Sequence, residues 1–278
     1  MSAKRNIRQP ANGCAWLFHD ATVADRRFHS VHFGLPSYRT VLLSRWDSPS
    51  CKNAGVIAPP RLRPRLSPAT LAGLLLALAG PPAAFIISTI FYGTEQTPAR
   101  TVWGLVIHWI NLAALVAVVL RAERQPLASI GLRPLRWWTI PLGLLAGVAI
   151  TVLAGFLSKP LGLSSAPSFV TMLQSLPFAT RLLVAVTAGI FEETLFRGYA
   201  LERLATLLNN KWAAAAVTLA IFTLGHIPAV GLAYLAPVLI VSTLITLLYL
   251  WRRDLVVNMI AHATVDGIGL LLAPVLAR

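Results

Sequence analysis

The segment with the strongest potential for chemistry is residues 191–199, which read Phe-Glu-Glu-Thr-Leu-Phe-Arg-Gly-Tyr. It puts two carboxylates and an arginine inside an apolar stretch, Arg181 to Leu201, that is long enough to cross a bilayer. Charges at such a depth are costly and usually serve a function inside a helical bundle. On a helix Glu193 and Arg197 are four residues apart and can pair, whereas Glu192 points about 100° away. The pattern predicts one neutralised carboxylate and one that is free for chemistry or for a metal.

Each of two further apolar stretches carries a pair of residues at the same spacing, and each pair includes a histidine. Phe222 and His226 are four residues apart, and so are His262 and Asp266, so that each pair shares one helical face. Counted at about 1.5 Å per residue from the nearest charged helix end, Glu192 and His262 lie near the middle of a ~30 Å apolar core. His226 lies somewhat beyond the middle. These side chains could therefore meet at one buried site.

A buried glutamate beside two histidines suits the hydrolysis of a peptide bond. That reaction needs a general base to activate water and a donor to stabilise the oxyanion. Glu192 is our candidate for the base, His226 could help to hold the same water, and His262 could donate to the developing oxyanion. Glu193 and Arg197 suit a buried pair that fixes the helix.

The order of the three motifs resembles that of the CPBP family of intramembrane endopeptidases. This family includes the type II CAAX prenyl proteases and the Abi, or bacteriocin-immunity, proteins. Its pattern is Glu-Glu-x-x-x-Arg, then Phe-x-x-x-His, then His-x-x-x-Asp or Asn, and residues 192–197, 222–226 and 262–266 are similar to it. Phe-Arg-Gly-Tyr after the glutamates and Ala-His at the third motif also fit. The resemblance covers about Leu182 to Leu272.

The resemblance implies a site made of both glutamates, the arginine, both histidines and the final aspartate. These are Glu192, Glu193, Arg197, His226, His262 and Asp266. In the family the first glutamate is assigned to water activation. Asp266 differs from those relatives that carry asparagine, because an ionised carboxylate cannot donate a hydrogen bond to an oxyanion as an amide can. Asp266 could instead orient His262 or bind a metal.

Whether the site holds a metal is left open by the sequence. Two glutamates, two histidines and an aspartate could coordinate Zn²⁺ or another divalent ion, and Glu192, His226 and His262 are the candidate ligands. The resemblance implies a family described as metalloproteases, yet the chain has no His-Glu-x-x-His zinc motif. A divalent metal such as zinc and no cofactor at all are both compatible with the motifs.

Each of these residues also has a purely structural interpretation. Glu193 with Arg197 could be an ion pair without a catalytic role, and His226 or His262 could be a core histidine bonded to a backbone carbonyl. His108, in the second apolar stretch, belongs to no motif and suits a polar contact between helices. Nearly every ionisable residue expected at mid-membrane depth falls in the three motifs, which favours the functional interpretation.

The composition is that of a polytopic membrane protein. Of the 278 residues, 56% are hydrophobic and 12% are charged, and the mean hydropathy is +0.68, which excludes an ordinary soluble domain. A net charge of +14 would suggest nucleic acid in a soluble chain, but here the basic residues collect between apolar runs. We expect an all-α transmembrane helix bundle whose partners are the lipid bilayer and a membrane-associated peptide or protein substrate, not nucleic acid.

Seven apolar runs are each near the ~20 residues that a bilayer requires. They cover about 69–93, 102–120, 137–157, 181–201, 211–228, 230–250 and 255–276. Basic residues lie before the first run and in every second connector after it, which predicts a cytoplasmic N-terminus. Three prolines break segment 158–180, and since CPBP members are usually drawn with about eight helices, it could supply a re-entrant or surface helix. We expect seven to eight spans in a bacterial cytoplasmic membrane.

The chain divides into three parts in this interpretation. They are a basic tail over 1–68, N-terminal transmembrane helices over 69–180 and a CPBP-like catalytic bundle over 181–276. The tail holds 11 of the 24 lysines and arginines and no apolar run of spanning length. We expect it to be disordered beside anionic headgroups, or to lie partly upstream of the true start. Its cysteines, Cys14 and Cys51, are too few for a disulfide framework.

Three functions compete at this point. The first is an intramembrane endopeptidase that hydrolyses a membrane-associated substrate with a glutamate-activated water. The second is a proton-coupled transporter, because buried Glu, His and Asp also make proton relays, although no inverted repeat of broken helices is visible. The third is a non-catalytic membrane scaffold or immunity protein, in which the motifs only hold the fold together.

Overall fold

The computed structural model describes residues 66–93, 97–162 and 167–276, and within these ranges the chain is helical, with no β-strand. In chain order the helices are α1 (Pro68–Tyr92), α2 (Pro98–Ala117), α3 (Thr139–Ser158), α4 (Ser168–Ser175), α5 (Phe178–Glu192), α6 (Leu201–Leu208), α7 (Lys211–Gly225), α8 (Ile227–Val230), α9 (Leu235–Arg252), α10 (Leu255–Gly267) and α11 (Ala273–Leu276). π-Helical segments follow α2 (Val118–Ala122), α5 (Glu193–Ala200) and α10 (Ile268–Leu272). The all-α class expected from the composition is confirmed.

Six helices in the described ranges are long and apolar enough to cross a membrane. They cover Pro68–Tyr92, Pro98–Ala122, Thr139–Leu161, Lys211–Val230, Leu232–Arg252 and Leu255–Val275. Large apolar side chains such as Phe91 and Phe156 are exposed on their outer faces, which suits contact with lipid. The chain is a multi-pass membrane protein.

The predicted run 181–201 is helical too, although it is not among these six. α5, the π-helical segment and α6 form one continuous helix from Phe178 to Leu208. Its apolar sequence is interrupted by Glu192, Glu193 and Arg197, and these charges, rather than a break in the helix, set it apart. The segment Glu193–Ala200 is buried along its whole length, so that the charges of Glu193 and Arg197 are enclosed by protein.

The proline-rich segment 158–180 contains a short helix rather than a span. α3 ends in the 3-10 turn Lys159–Leu161, and the eight-residue α4 packs Leu173 against Leu270. Gln174 anchors α4 by donating to the carbonyl of Gly269 at 2.9 Å. The tail predicted over 1–68 lies outside the described residues, apart from residues 66–68.

Helix α10 packs against both α3 and α5, and glycines permit the close approach on each side. A Cβ added at Gly189 of α5 would lie 2.7 Å from the carbonyl oxygen of Met259. One added at Gly147 of α3 would lie 2.6 Å from the carbonyl oxygen of Ala261. Small residues at helix contacts allow backbones to touch. The helix that carries His262 is therefore held at backbone distance from the helix that carries the glutamates.

Two hydrogen-bonded clusters tie the helix ends together beside the basic connectors. Glu123 accepts from the Tyr199 hydroxyl at 2.7 Å and pairs with Arg203 at 2.7 Å. Glu202 accepts from the Tyr249 hydroxyl at 2.8 Å and pairs with Arg253. These contacts bring the connectors around residues 121–136, 203–211 and 252–255 to one end of the bundle, which we call the basic end.

Candidate active site

Glu193 lies at the centre of a buried hydrogen-bond network. Its Oε1 accepts from Nη1 of Arg197 at 2.9 Å and lies 2.8 Å from Nδ1 of His262. Its Oε2 accepts from Nδ2 of Asn258 at 3.1 Å. The side chain is completely buried, and a buried carboxylate is tolerated when it is paired and hydrogen-bonded in this way. Glu193 therefore joins the second half of its own helix to α10.

Arg197 is enclosed almost as completely as its partner. It donates from Nη2 to the carbonyl of Ser242 at 3.1 Å and from Nε to Oγ1 of Thr246 at 3.3 Å. Its guanidinium carbon lies 4.5 Å from the centroid of the Phe222 ring, which is a cation–π contact. The ion pair predicted from the spacing is present, and its arginine also fastens the helix to α7 and α9.

The helix changes its winding at the glutamates. α5 ends at Glu192, and the segment from Glu193 to Ala200 is π-helical. π-Helical insertions are rare and occur frequently at functional sites. This change of winding falls between the two glutamates and gives them different surroundings.

The two ring nitrogens of His262 face different carboxylates. Nδ1 contacts Glu193, and because an ionised carboxylate only accepts, Nδ1 is the donor. Nε2 lies 3.7 Å from Oε2 of Glu192 and 3.7 Å from Oδ2 of Asp266. Neither distance is a direct hydrogen bond, and a water lying beside these atoms could bridge them. Glu193 thus orients the ring so that Nε2 faces the space between Glu192 and Asp266.

His226 follows the end of α7, at the turn between α7 and α8. Its Nδ1 lies 2.8 Å from the carbonyl oxygen of Phe222, which can only accept, so Nδ1 carries a proton. In the neutral ring Nε2 is then an acceptor. The ring centroid of Phe222 lies 4.5 Å from that of His226 and 6.5 Å from that of His262. Phe222 therefore packs between the two histidines and Arg197.

A cavity of about 240 Å³ adjoins these groups. It is lined by Phe222, His226, Pro237, Val238, Val241, Ser242, Ile245, His262, Val265 and Asp266. The Glu192 and Asp266 side chains are 22% and 32% exposed, whereas Glu193 is fully buried. The structure therefore separates a partly accessible pair of carboxylates from an inaccessible one.

The positions of the candidate ligands do not favour a metal site. In the three ranges that the structure describes, no group of three or more His, Cys, Asp or Glu side chains is arranged to hold a metal ion. Glu192, His226 and His262, the candidate ligands from the sequence, do not form such a group here. The zinc site stays a prediction without support from the geometry.

The structure gathers the motif residues around one histidine. Glu192, Glu193 and Asp266 all lie within 3.7 Å of the ring nitrogens of His262, and His226 lines the same cavity. His108, which belongs to no motif, stacks its ring on Phe191 with the centroids 4.2 Å apart. The contact joins two helices next to the first glutamate, but it is a ring stack rather than the polar contact expected from the sequence.

Three residues of the network have no place in the predicted set. Asn258 donates to Glu193 and to the carbonyl of Ile245, and Ser242 and Thr246 bind Arg197. A signal for them exists in the sequence, because Asn258, His262 and Asp266 recur every four residues on an apolar helix. Ser242 and Thr246 are also four residues apart. Polar residues at this spacing share one helical face.

Comparison with known proteins matches residues 174–268 to the family described as Type II CAAX prenyl endopeptidase Rce1-like. No curated protein matches the chain. No solved structure matches it either. The matched segment contains all three motifs and the whole of the network around Glu193 and His262. The resemblance to the CPBP family of membrane proteases is therefore confirmed over residues 174–268.

Proposed function

We propose that the protein is an intramembrane endopeptidase that uses Glu192 to activate a water. The observation that carries this proposal is the position of Nε2 of His262, 3.7 Å from both Glu192 and Asp266 and beside a cavity. Because these atoms are close together, a water or a substrate carbonyl oxygen beside them could contact both the carboxylate and the imidazole. The family match supports protease activity in general.

The chemical step follows from these positions. Glu192 accepts a proton from the water, whose oxygen attacks the carbonyl carbon of the peptide bond. His226 in its neutral form would offer Nε2 as an acceptor for the second proton of the water, because its Nδ1 is committed to the Phe222 carbonyl. The C–N bond then breaks, and Glu192 passes its proton to the leaving amine. The products are one carboxylate and one amine.

The oxyanion is stabilised by His262. A neutral ring that donates from Nδ1 to Glu193 has no proton on Nε2, so donation to an oxyanion requires the charged ring. Three carboxylates lie around that ring, and each favours the charge. In this proposal Asp266 acts on His262 rather than on the substrate, which accounts for an aspartate where the family also has asparagine.

Glu193 and Arg197 are positioning residues in this mechanism. Both are hydrogen-bonded, and their side chains are at most 2% exposed, whereas that of Glu192 is 22% exposed. Arg197 neutralises Glu193, and Glu193 holds the His262 ring in the orientation that turns Nε2 toward Glu192. The two adjacent glutamates therefore have different roles: Glu192 reacts, and Glu193 holds His262 in place.

The test is cleavage of a library of membrane-anchored peptides by the purified full chain in proteoliposomes. We expect products with wild type, and incorporation of oxygen from ¹⁸O-water into the new carboxylate. Glu192→Gln should lose about 10²–10⁴-fold in rate, while the matched variant Glu202→Gln, which changes a glutamate at the basic end, should cleave normally. Full activity of Glu192→Gln would refute the proposed base.

Addition of a chelator to the same assay tests the metal alternative. The donor geometry leads us to expect unchanged cleavage, since no three-ligand group is present in the described ranges. Loss of cleavage with the chelator and recovery with Zn²⁺ would restore Glu192, His226 and His262 as metal ligands. If no peptide is cleaved either with or without the chelator, the result would favour the alternative function, a non-catalytic membrane scaffold.

A further inference from the structure

Tryptophans gather at the basic end of the bundle. They are Trp137 and Trp138 directly before α3, Trp212 in the first turn of α7 and Trp251 in the last turn of α9. The side chains of Trp137, Trp212 and Trp251 are 85%, 58% and 69% exposed. Tryptophan is enriched where a membrane meets water, because one part of its ring is apolar and another is polar. These rings therefore mark the depth of the lipid headgroups at the basic end.

Three of these tryptophans have a basic side chain over the ring. The guanidinium carbon or ammonium nitrogen lies 5.0 Å from the ring centroid for Arg136 and Trp138, 5.0 Å for Arg252 and Trp251, and 5.4 Å for Lys211 and Trp212. These are cation–π contacts, and we call them the tryptophan–cation pairs. A side chain that is already held against a ring loses less conformational freedom when it binds a ligand.

The basic end carries more cations than its own carboxylates neutralise. Its connectors contain eight basic residues, which are Arg121, Arg124, Arg133, Arg136, Arg203, Lys211, Arg252 and Arg253. The two glutamates at this end are paired with arginines, and Asp254 is engaged as the cap of α10. In the ranges that the structure describes, no carboxylate forms an ion pair with Arg136, Lys211 or Arg252. The cations of the three pairs are therefore left for a partner with negative charge.

The tryptophan–cation pairs lie on neighbouring helices. α9 packs against both α3 and α7, and Trp251 lies two residues after Tyr249, whose hydroxyl donates to Glu202 at 2.8 Å. The N–H of Leu255 donates to the carbonyl of Gly131 at 2.9 Å, in the connector that leads to α3. The end of α9 is thereby held to the connector before α3 and to α6, the helix before α7. A partner that binds all three pairs would bridge the ends of these helices.

We propose that the basic end binds the headgroups of anionic phospholipids through the three tryptophan–cation pairs. A phosphodiester accepts charge-assisted hydrogen bonds from guanidinium and ammonium groups. The apolar part of the same lipid lies beside the tryptophan rings, whereas a nucleic acid has no acyl chains to place there. Charge and ring position together thus fit a lipid. The inference concerns the membrane partner of the helix bundle and does not depend on whether the protein cleaves peptides.

The experiment measures the binding of phosphatidylglycerol and of phosphatidylcholine to the purified full chain in a neutral detergent, by native mass spectrometry. Arg136→Gln with Arg252→Gln removes two cations of the tryptophan–cation pairs. Arg121→Gln with Arg124→Gln is the matched control, because it removes two exposed arginines from the same end that contact no ring in the described part of the chain. Trp251→Leu and Trp251→Phe test the ring and leave the charge unchanged.

We expect wild type to bind phosphatidylglycerol at least about tenfold more tightly than phosphatidylcholine. A basic residue near an anionic headgroup contributes about fivefold to binding, so Arg136→Gln with Arg252→Gln should weaken the binding of phosphatidylglycerol by at least about tenfold. The control pair should weaken it by less than about threefold. Trp251→Leu should weaken it by about two- to fivefold, and Trp251→Phe by less.

Three outcomes would overturn the proposal. Equal affinity of wild type for the two lipids would show that the basic end does not select anionic headgroups. Equal losses in the two double variants would show that overall charge, rather than the tryptophan–cation pairs, attracts the lipid. Unchanged binding by Trp251→Leu would show that the ring has no part in the site. None of these measurements uses peptide cleavage, so that failure of this inference is distinct from failure of the proposed function.

Discussion

At the scale of single residues, the site depends on two adjacent glutamates that face different nitrogens of one histidine. The sequence predicts that Glu193 pairs with Arg197 and that Glu192 points elsewhere, and the ion pair is present. The i, i+4 spacing does not predict that Glu193 also binds His262. That contact depends on how closely α5 and α10 approach, which is a property of tertiary packing and not of either helix alone.

Removal of Arg197 should destabilise the protein. Arg197→Ala leaves the carboxylate of Glu193 buried without its counter-ion, and breaking a buried pair in this way costs roughly 3–5 kcal/mol. We expect a large fall in the unfolding temperature in detergent and little folded protein in the membrane. Arg121→Ala, which removes an exposed arginine at the basic end, is the control. A stable and active Arg197→Ala protein would contradict the structural role of the pair.

His108 should matter little for turnover. Its ring stacks on Phe191, and such a stack contributes about 0.5–1.5 kcal/mol beyond burial. We expect His108→Leu to keep kcat/KM within about threefold of wild type, a change of less than 1 kcal/mol. His108→Phe, which keeps an aromatic ring against Phe191, should be still closer to wild type. An inactive His108→Phe protein that remains folded would show that the site contains a further catalytic group.

At the scale of secondary-structure elements, the contact of α10 with α3 and α5 sets the geometry of the site. Glycines at 147 and 189 leave no room for a Cβ, and both lie in apolar runs whose helical character could be predicted. The π-helical segment could not be predicted, because the residues from Glu193 to Ala200 fit an α-helix equally well by spacing. Asn258 could have been predicted, because it lies four residues before His262, which is the spacing between His262 and Asp266 in the third motif.

Gly189→Ala tests this contact between elements. The new Cβ would lie 2.7 Å from the Met259 carbonyl, so α5 and α10 must separate and Glu193 must move from His262. We expect a loss of both cleavage rate and thermal stability. Gly155→Ala on α3 meets nothing within 4 Å, and by helix propensity alone it should stabilise the protein by up to about 1 kcal/mol. Equal behaviour of the two variants would show that the close contact is not required.

At the scale of the whole molecule, sequence composition predicted a polytopic helical protein, and the structure confirms this. The basic connectors identified from the sequence lie together at one end, where Glu123 pairs with Arg203 and Glu202 with Arg253. The number of spans could not be fixed from the sequence. The charges of the motif helix and the prolines of segment 158–180 both interrupt the apolar pattern on which a count of spans depends.

The cluster around Glu123 predicts a dependence of stability on pH. Burial raises the pKa of Glu123, but hydrogen bonds from Arg203 and Tyr199 outweigh burial and lower it below its ordinary value of 4.5. A lowered pKa means that Glu123 stabilises the fold above pH 4.5 and that this contribution is lost as the pH falls through the lowered pKa. We therefore expect the difference in unfolding temperature between wild type and Glu123→Gln to shrink below pH 4.5. A difference that grows on acidification would contradict this role.

The most direct test of the account compares Glu192→Gln with Glu193→Gln, each measured for cleavage rate and for unfolding temperature in the same proteoliposomes. Glu192→Gln should lower the cleavage rate by about 10²–10⁴-fold and leave the unfolding temperature close to that of wild type, because this side chain is partly exposed and outside the buried pair. Glu193→Gln should lower the unfolding temperature, since Arg197 would then be buried without a counter-ion. Cleavage by Glu192→Gln at the wild-type rate, or an unfolding temperature that is unchanged in Glu193→Gln, would contradict the division of roles between the two glutamates.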